Sequence, residues 1–208
     1  ISFIAADNEQ KAPKVKLHKK EIEQMHVALG SLGFNREHPD RYAVGVLNVI
    51  LGANMSSRLF QEVREKRGLA YSIASGAKLL KDTGAFIVRG GVHNEKVVEA
   101  VDVILKELEK ISRVLVSAGE LKRAKDYLIG QTLLSLEDTA EHMFWVGESV
   151  VATDQFETFK QAIEHVQRVT FSDVRRVAQK LFSPNRFNLA VVGPLQDSQE
   201  KAIRKLLP

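Results

Sequence analysis

The stretch LFQEVREKRGLAYS, residues 59–72, joins two kinds of secondary structure. Its first part has the amphipathic pattern of a helix, Gly68 is suited to end that helix, and an alternating run typical of a strand begins near Tyr71. The cations of the last helical turn are Arg64, Lys66 and Arg67. On composition alone, a purely structural role is the simpler interpretation, because cations favour the negative end of a helix dipole.

Alternating runs on both sides of this junction predict a sheet. IEQMHVALGSLGF precedes the junction and has the period of a half-buried strand, and RFNLAVVG near the carboxyl end predicts a short apolar strand. YSIASGAKLLKDTGAFIVRGGV predicts two strands joined by a hairpin turn at KDTG, in which Gly84 is expected to adopt a positive φ angle.

Helices are predicted between these strands. HPDRYAVGVLNVILGAN is apolar nearly all round and is expected to be buried, and residues 97–111 show the strongest helical periodicity in the chain. The capping and starting residues that we expect are Asp40, Ser56 or Ser57, Ser117 with Glu120, Thr158 with Gln161, and Ser172.

The order strand, two helices, hairpin, several helices, strand and helix favours an α+β fold. We expect a two-layer sandwich in which helices cover one face of a mainly antiparallel sheet. Residues 1–20 are polar, rich in lysine and broken by Pro13, which predicts a linker or extended segment, so residues 21–208 are expected to form the domain. The first residue is Ile1, which suggests a fragment or a processed product.

Composition excludes several classes of function. The formal charge of 30 − 26 = +4 is spread along the 208 residues, and no aromatic or glycine pattern supports nucleic-acid binding. The absence of cysteine excludes disulfides, thiolate metal sites and a cysteine nucleophile. No apolar run reaches the ~20 residues of a membrane helix, so we expect no membrane partner and a cytoplasmic location.

Common catalytic motifs are also missing. The chain has no phosphate-binding glycine loop and no G-x-S-x-G elbow, and no helix presents two histidines at metal-binding spacing. The inverted zinc motif H-x-x-E-H is approached only by His18 and Glu21, where Ile22 takes the place of the second histidine. We therefore expect no metal ligand and no catalytic residue that acts in this chain alone.

The segment from YAVGVLNVILGAN to FIVRGGV closely resembles the pitrilysin and insulinase family of zinc metallopeptidases, especially its mitochondrial-processing-peptidase-like branch. LGANMSSRLFQEVREKRGLAYS is the most specific part, and the resemblance extends over nearly the whole chain. It implies two similar halves around a chamber, with zinc bound by the H-x-x-E-H motif of the amino-terminal half. Since this chain lacks the motif, it resembles the metal-free carboxyl-terminal half.

The resemblance further implies a substrate-binding role for Arg64 and Tyr71, which would point toward the peptide held at the zinc of the other half and donate to the oxyanion. The implied partners are a zinc-bearing half or subunit and an unfolded peptide or presequence, in a homo- or heterodimer where the halves are separate chains. This chain alone is expected to be inactive. The alternative is a non-catalytic scaffold or interaction subunit of the same fold.

Overall fold

The computed structural model describes residues 4, 6–7, 9–153 and 156–207, with the side chain of residue 152 excepted. Its strands form one five-stranded sheet in the order β1-β5-β2-β4-β3. The β2–β4, β2–β5 and β3–β4 pairs are antiparallel, whereas β1 runs parallel to β5. The strands are β1 (Lys14–Lys19), β2 (Met25–Leu32), β3 (Ala70–Leu79), β4 (Gly84–Val92) and β5 (Phe187–Gly193).

Helices pack on one face of this sheet. A π-helix (Phe60–Glu65) precedes β3, and short 3-10 turns occur at Asn94–Lys96 and Pro184–Arg186. The α-helices are α1 (Arg41–Leu51), α2 (Val97–Arg113), α3 (Ala118–Ser135), α4 (Thr139–Thr153), α5 (Phe159–Arg168), α6 (Phe171–Leu181) and α7 (Asp197–Leu206). The predicted α+β sandwich is confirmed.

The core lies between the sheet and the helices. Along β2, Met25, Val27 and Leu29 are buried, while the residues between them face the other side of the sheet and are more exposed. The central helices contribute buried aliphatic side chains at helical spacing, for example Ile104 and Leu108 of α2. Burial of these side chains, at about 25 cal/mol for each Å² of apolar surface, is the main source of stability.

The predicted linker region contains an edge strand. Lys14–Lys19 pairs with β5, and Val15 and Leu17 pack against the core from this edge. Residues 1–3, 5 and 8 of the predicted linker lie outside the described residues. The division into a linker over 1–20 and a domain over 21–208 stays a prediction.

Two capping boxes are confirmed, at Ser117 with Glu120 and at Thr158 with Gln161. Asp40 occupies the N-cap position of α1 as predicted, but the expected capping bond is absent, since its carboxylate accepts from Arg176 at 2.5 Å instead. That bond draws the carboxylate toward α6.

Three other local predictions are corrected by the structure. Ser57 directly precedes the helical residues and its carbonyl accepts from the amide of Gln61, but its hydroxyl donates to the carbonyl of Asn54 instead of forming the expected cap. Helix α6 begins at Phe171, before the predicted Ser172, because Thr170 and Asp173 form a capping box at its start. Gly84 has no positive φ. It is glycine because a Cβ there would lie 2.0 Å from the carbonyl oxygen of Phe34.

Candidate functional site

The helix-to-strand junction is anchored by buried aliphatic side chains. Val63 and Leu69 are 0% and 1% exposed, and the amide of Leu69 donates to the carbonyl of Val63 over 2.8 Å. Between them Gly68 has a φ of 54°, the left-handed conformation that glycine adopts without a steric penalty. The predicted role of Gly68 at the end of the helix is confirmed. The chain therefore turns sharply at Gly68, between two residues that are anchored in the core.

Arg64 lies on the π-helix and projects away from the core. Its guanidinium carbon lies 5.0 Å from the centre of the Phe60 ring, and its nearest carboxylate, that of Glu65, is 4.0 Å away. Nearly half of the Arg64 side chain, 46%, is exposed. An ion pair at this distance and exposure is weak. The guanidinium is thus positioned by an aromatic ring and keeps its donors available.

The other two cations of the junction are held by one carboxylate. Arg67 donates to Glu62, and Lys66 lies 2.6 Å from the same side chain. These hydrogen bonds lower the pKa of Glu62 to about 2, and the bond from Arg67 makes the largest contribution. We expected Lys66 and Arg67 to serve the helix end or to face solvent, and the structure shows that both pair with Glu62. Among the described residues, Arg64 is therefore the cation of this turn with the most distant carboxylate, that of Glu65.

Tyr71 occupies a β-bulge. Ala70 pairs with Val92 and Ser72 pairs with the preceding residue, Gly91, so Tyr71 is the extra residue between them. A bulge re-aims a side chain and is frequent beside active sites. Tyr71 is 56% exposed as a residue, and its ring packs on His93 with the two ring centres 4.2 Å apart.

Tyr71 borders a cavity of about 360 Å³ at this end of the sheet. The cavity is also lined by His93 and by the acidic and basic side chains of Glu23, Glu95 and Lys96. The next residue, Ser72, lines a separate hollow of about 520 Å³ on the face of the sheet opposite the helices. Tyr71 thus stands between two concave surfaces.

The structure exposes both predicted site residues at one junction, although no hydrogen bond or cation–π contact between described residues joins Arg64 to Tyr71. Their role in binding substrate stays a prediction. The sequence pattern did not indicate His93 or the bulge, because both depend on how β3 and β4 pair. The sequence feature that could have indicated an exposed His93 is the change from the apolar run of β4 to polar residues directly after it.

Within the described ranges, no group of three or more histidine, cysteine, aspartate or glutamate residues could hold a metal ion. His18 and Glu21, the nearest approach to a zinc motif in the sequence, belong to no such group. The described residues of this chain therefore do not fit a zinc ion. Among the same residues, no helix is both long and apolar enough to cross a lipid bilayer.

Comparison with known families identifies the chain. The family model described as the peptidase M16 inactive domain matches residues 4–128, which is more than half of the chain. The chain belongs to this family. The predicted resemblance to the metal-free half of a zinc metallopeptidase is thereby confirmed, and the narrower placement in the mitochondrial-processing-peptidase-like branch stays a prediction.

Curated relatives of this M16 inactive domain carry the name of zinc proteases. An uncharacterized zinc protease of Streptomyces coelicolor is 40% identical over 90% of this chain and 41% of its own length. An uncharacterized zinc protease of Bacillus subtilis is 34% identical over 85% of this chain and 43% of its own length. The M16 domain thus spans about two fifths of these relatives.

Solved structures share the fold of this M16 domain. A protease from Helicobacter pylori aligns with a TM-score of 0.86 at 22% identity, over 92% of this chain and 46% of its own. A peptidase M16 inactive domain from Pseudomonas fluorescens aligns with a TM-score of 0.82 at 24% identity, over 89% of this chain and 44% of its own. At these identities the likeness shows the fold alone.

Proposed function

We propose that this chain is the non-zinc-binding half of a zinc metalloendopeptidase that cleaves unfolded peptides or presequences. The observation that carries the proposal is the exposed pair of donors at one rigid junction, Arg64 on the π-helix and Tyr71 on the bulge. The family supports it, since relatives named zinc proteases are more than twice as long as this chain's match to them. The zinc is proposed to be held by the other half.

The chemical role of the pair follows from its donors. When a nucleophile adds to a peptide carbonyl, negative charge builds on the oxygen, and a preorganised phenol and guanidinium stabilise that charge by hydrogen bonds. Arg64 keeps its donors available because Glu62 engages the neighbouring cations Lys66 and Arg67. The Tyr71 ring packs on His93, and no hydrogen bond to another described residue occupies its hydroxyl. Both side chains would therefore reach a peptide presented from another half.

The test is reconstitution. This chain is mixed with a purified half that carries H-x-x-E-H, and cleavage of an unstructured fluorogenic peptide is followed. We expect cleavage in the mixture and none by this chain alone. Tyr71→Phe and Arg64→Ala are each expected to lower kcat by ~10²–10³, the typical cost of losing one oxyanion donor.

Matched controls come from the same chain. Tyr127→Phe alters another exposed tyrosine on α3, and Lys66→Ala alters a cation of the same junction that pairs with Glu62. Both variants are expected to cleave at the parent rate. Parent rates for Tyr71→Phe and Arg64→Ala as well would refute the proposed contacts. Tight association of the two halves without any cleavage would favour the scaffold function instead.

A further inference from the structure

The face of the sheet opposite the helices, here called the open face, carries basic side chains and no carboxylate among its strand positions. The strand register places these charged or ionisable residues on it: Lys14, Lys16, His18, His26, Lys78 and Arg89. Among the described residues, none of the lysines or the arginine in this set is in an ion pair. By contrast, most cations of α2 and α6 pair with a carboxylate.

Arg89 stands at the centre of the open face among small side chains. Its register partners are Ala28 on β2 and Ala74 on β3, and Gly91 is its neighbour along β4 on the same face. These residues form the floor of the hollow of about 520 Å³, which Arg89 also lines. Small neighbours leave the guanidinium open to an incoming group from above and from both sides.

The chemistry of this hollow favours a carboxylate. Arginine binds a carboxylate through two parallel hydrogen bonds, which gives both affinity and geometric selection. The apolar floor of alanine and glycine lowers the local dielectric and strengthens that attraction. The other cations of the open face add a field of the same sign, which repels a basic ligand.

A polypeptide fits the open face better than a nucleic acid does. Single-stranded nucleic acids bind by stacking bases on aromatic side chains, and no strand position that points to this face holds phenylalanine, tyrosine or tryptophan. The hollow also begins at Ser72, directly after the bulged Tyr71, so a chain that reaches Tyr71 would continue over it.

We propose that the open face selects acidic, extended peptide segments, with an aspartate or glutamate side chain bound by Arg89. The inference rests on the proposed function and narrows the substrate class of the same site to acidic unfolded peptides, in place of the basic, acid-poor presequences. Arg89 pairs with Ala74, three residues beyond Tyr71, which corresponds to about 10 Å along a strand. An extended peptide covers that length in about three residues. The acidic residue is thus about three residues from the bond that is cleaved.

Direct binding is the first test, because it needs no partner half. Fluorescence anisotropy is measured with short unstructured peptides of the same sequence that carry glutamate, glutamine or lysine at the variable positions. We expect the glutamate peptide to bind on the order of tenfold more tightly than the glutamine peptide, and the lysine peptide to bind weakest. The preference is expected to shrink as salt rises from about 50 to about 300 mM.

Substitutions test whether Arg89 causes the preference for the glutamate peptide. Arg89→Ala is expected to remove most of the preference for glutamate without changing the affinity for the glutamine peptide, and Arg89→Lys to restore part of it. The matched control is Arg204→Ala, which removes an exposed arginine of α7 that has no ion pair among the described residues. Equal affinities for the glutamate and glutamine peptides, or loss of the preference in Arg204→Ala, would overturn the proposal. Tighter binding of a single-stranded oligonucleotide of the same charge would overturn it too.

The reconstituted enzyme separates this proposal from the proposed function. Preferred binding of the glutamate peptide by the chain, with no cleavage by the mixture, would support the acidic site and refute the peptidase function. Cleavage of glutamate and glutamine peptides with the same kcat/KM, in both the parent and Arg89→Ala, would refute the acidic site and leave the peptidase function standing.

Discussion

Phe86 and Ile87 are neighbours on β4, yet they face opposite sides of the sheet. Phe86 is 2% exposed and packs edge-on against Phe182, whereas Ile87 is half-buried on the open face. The covered face is built from large aliphatic and aromatic side chains because helices bury them. The open face is rich in alanine, glycine and cations, which gain little from burial, and its lysines and arginine make no ion pair with a described residue. The first face is thus specified by packing, whereas the second is the surface on which we propose that peptides bind.

The largest expected effect distinguishes the two faces within one strand. Phe86→Ala should lower the free energy of unfolding by ~3–5 kcal/mol, because it leaves a cavity in the core. Ile87→Ala should cost about 1 kcal/mol or less, since its side chain is only partly removed from water. Urea unfolding followed by circular dichroism measures both. Similar losses for the two variants would mean that the open face is packed as well.

The cations of the helical layer and those of the open face differ in whether a carboxylate lies beside them. In the helical layer Arg58 donates to both carboxylate oxygens of Glu120, over 2.8 and 3.1 Å, and the amide of Ser117 adds a further bond of 3.0 Å. Burial opposes ionisation of Glu120, but these hydrogen bonds outweigh it and lower the pKa to about 2. Among the described residues, the lysines and the arginine of the open face have no such carboxylate partner.

Replacing Glu120 by glutamine is expected to cost about 2 kcal/mol at neutral pH, a typical value for hydrogen bonds to a charged group. The folded-state pKa lies below the ordinary value of 4.5, so the contribution is complete above that pH and is lost as pH falls toward about 2. The difference between parent and Glu120→Gln in urea unfolding should therefore narrow on acidification. The control is Glu109→Gln. Glu109 pairs with Arg113, whose side chain is 76% exposed, so this pair is more open to solvent than that of Glu120. A pH-independent difference would exclude the ionised pair as the cause.

Much of this architecture could be predicted from local patterns. The alternation of β2 and the hairpin strands, the period of α2 and the capping boxes at Ser117 and Thr158 all depend on residues close in sequence. The segment of β1 was predicted only as a linker or extended segment, because lysines surround Val15 and Leu17, which are only half-buried at the sheet edge.

The candidate site was predicted less completely than the fold. Arg64 and Tyr71 followed from the resemblance, and the turn between them followed from Gly68. The bulge at Tyr71 could not be predicted, since it exists only relative to β4. The cluster of cations on the open face also depends on the strand order, which brings residues distant in sequence onto one surface.

The next expected effect concerns the turn that positions Tyr71. Gly68→Ala should cost about 1 kcal/mol, because alanine is strained at a φ of 54°, although no atom lies near enough to clash. Gly76→Ala is the matched control, since Gly76 lies on the open face of β3 with open space around it and no positive φ. Its effect on urea unfolding should stay within about 0.5 kcal/mol. An equal loss in both variants would show that the strain at Gly68 is not the cause.

The smallest expected effect compares two arginines. Arg89→Ala should change the free energy of unfolding by less than about 0.5 kcal/mol, because its guanidinium has no ion pair among the described residues and its stem leaves no closed cavity. Arg58→Ala, on the covered side, should cost about 2 kcal/mol by leaving the Glu120 carboxylate without its main partner. Urea unfolding of both variants at neutral pH gives the comparison. A loss above about 1 kcal/mol for Arg89→Ala would make Arg89 part of the structural framework, and any loss of peptide binding in that variant would then reflect the fold and not a missing contact.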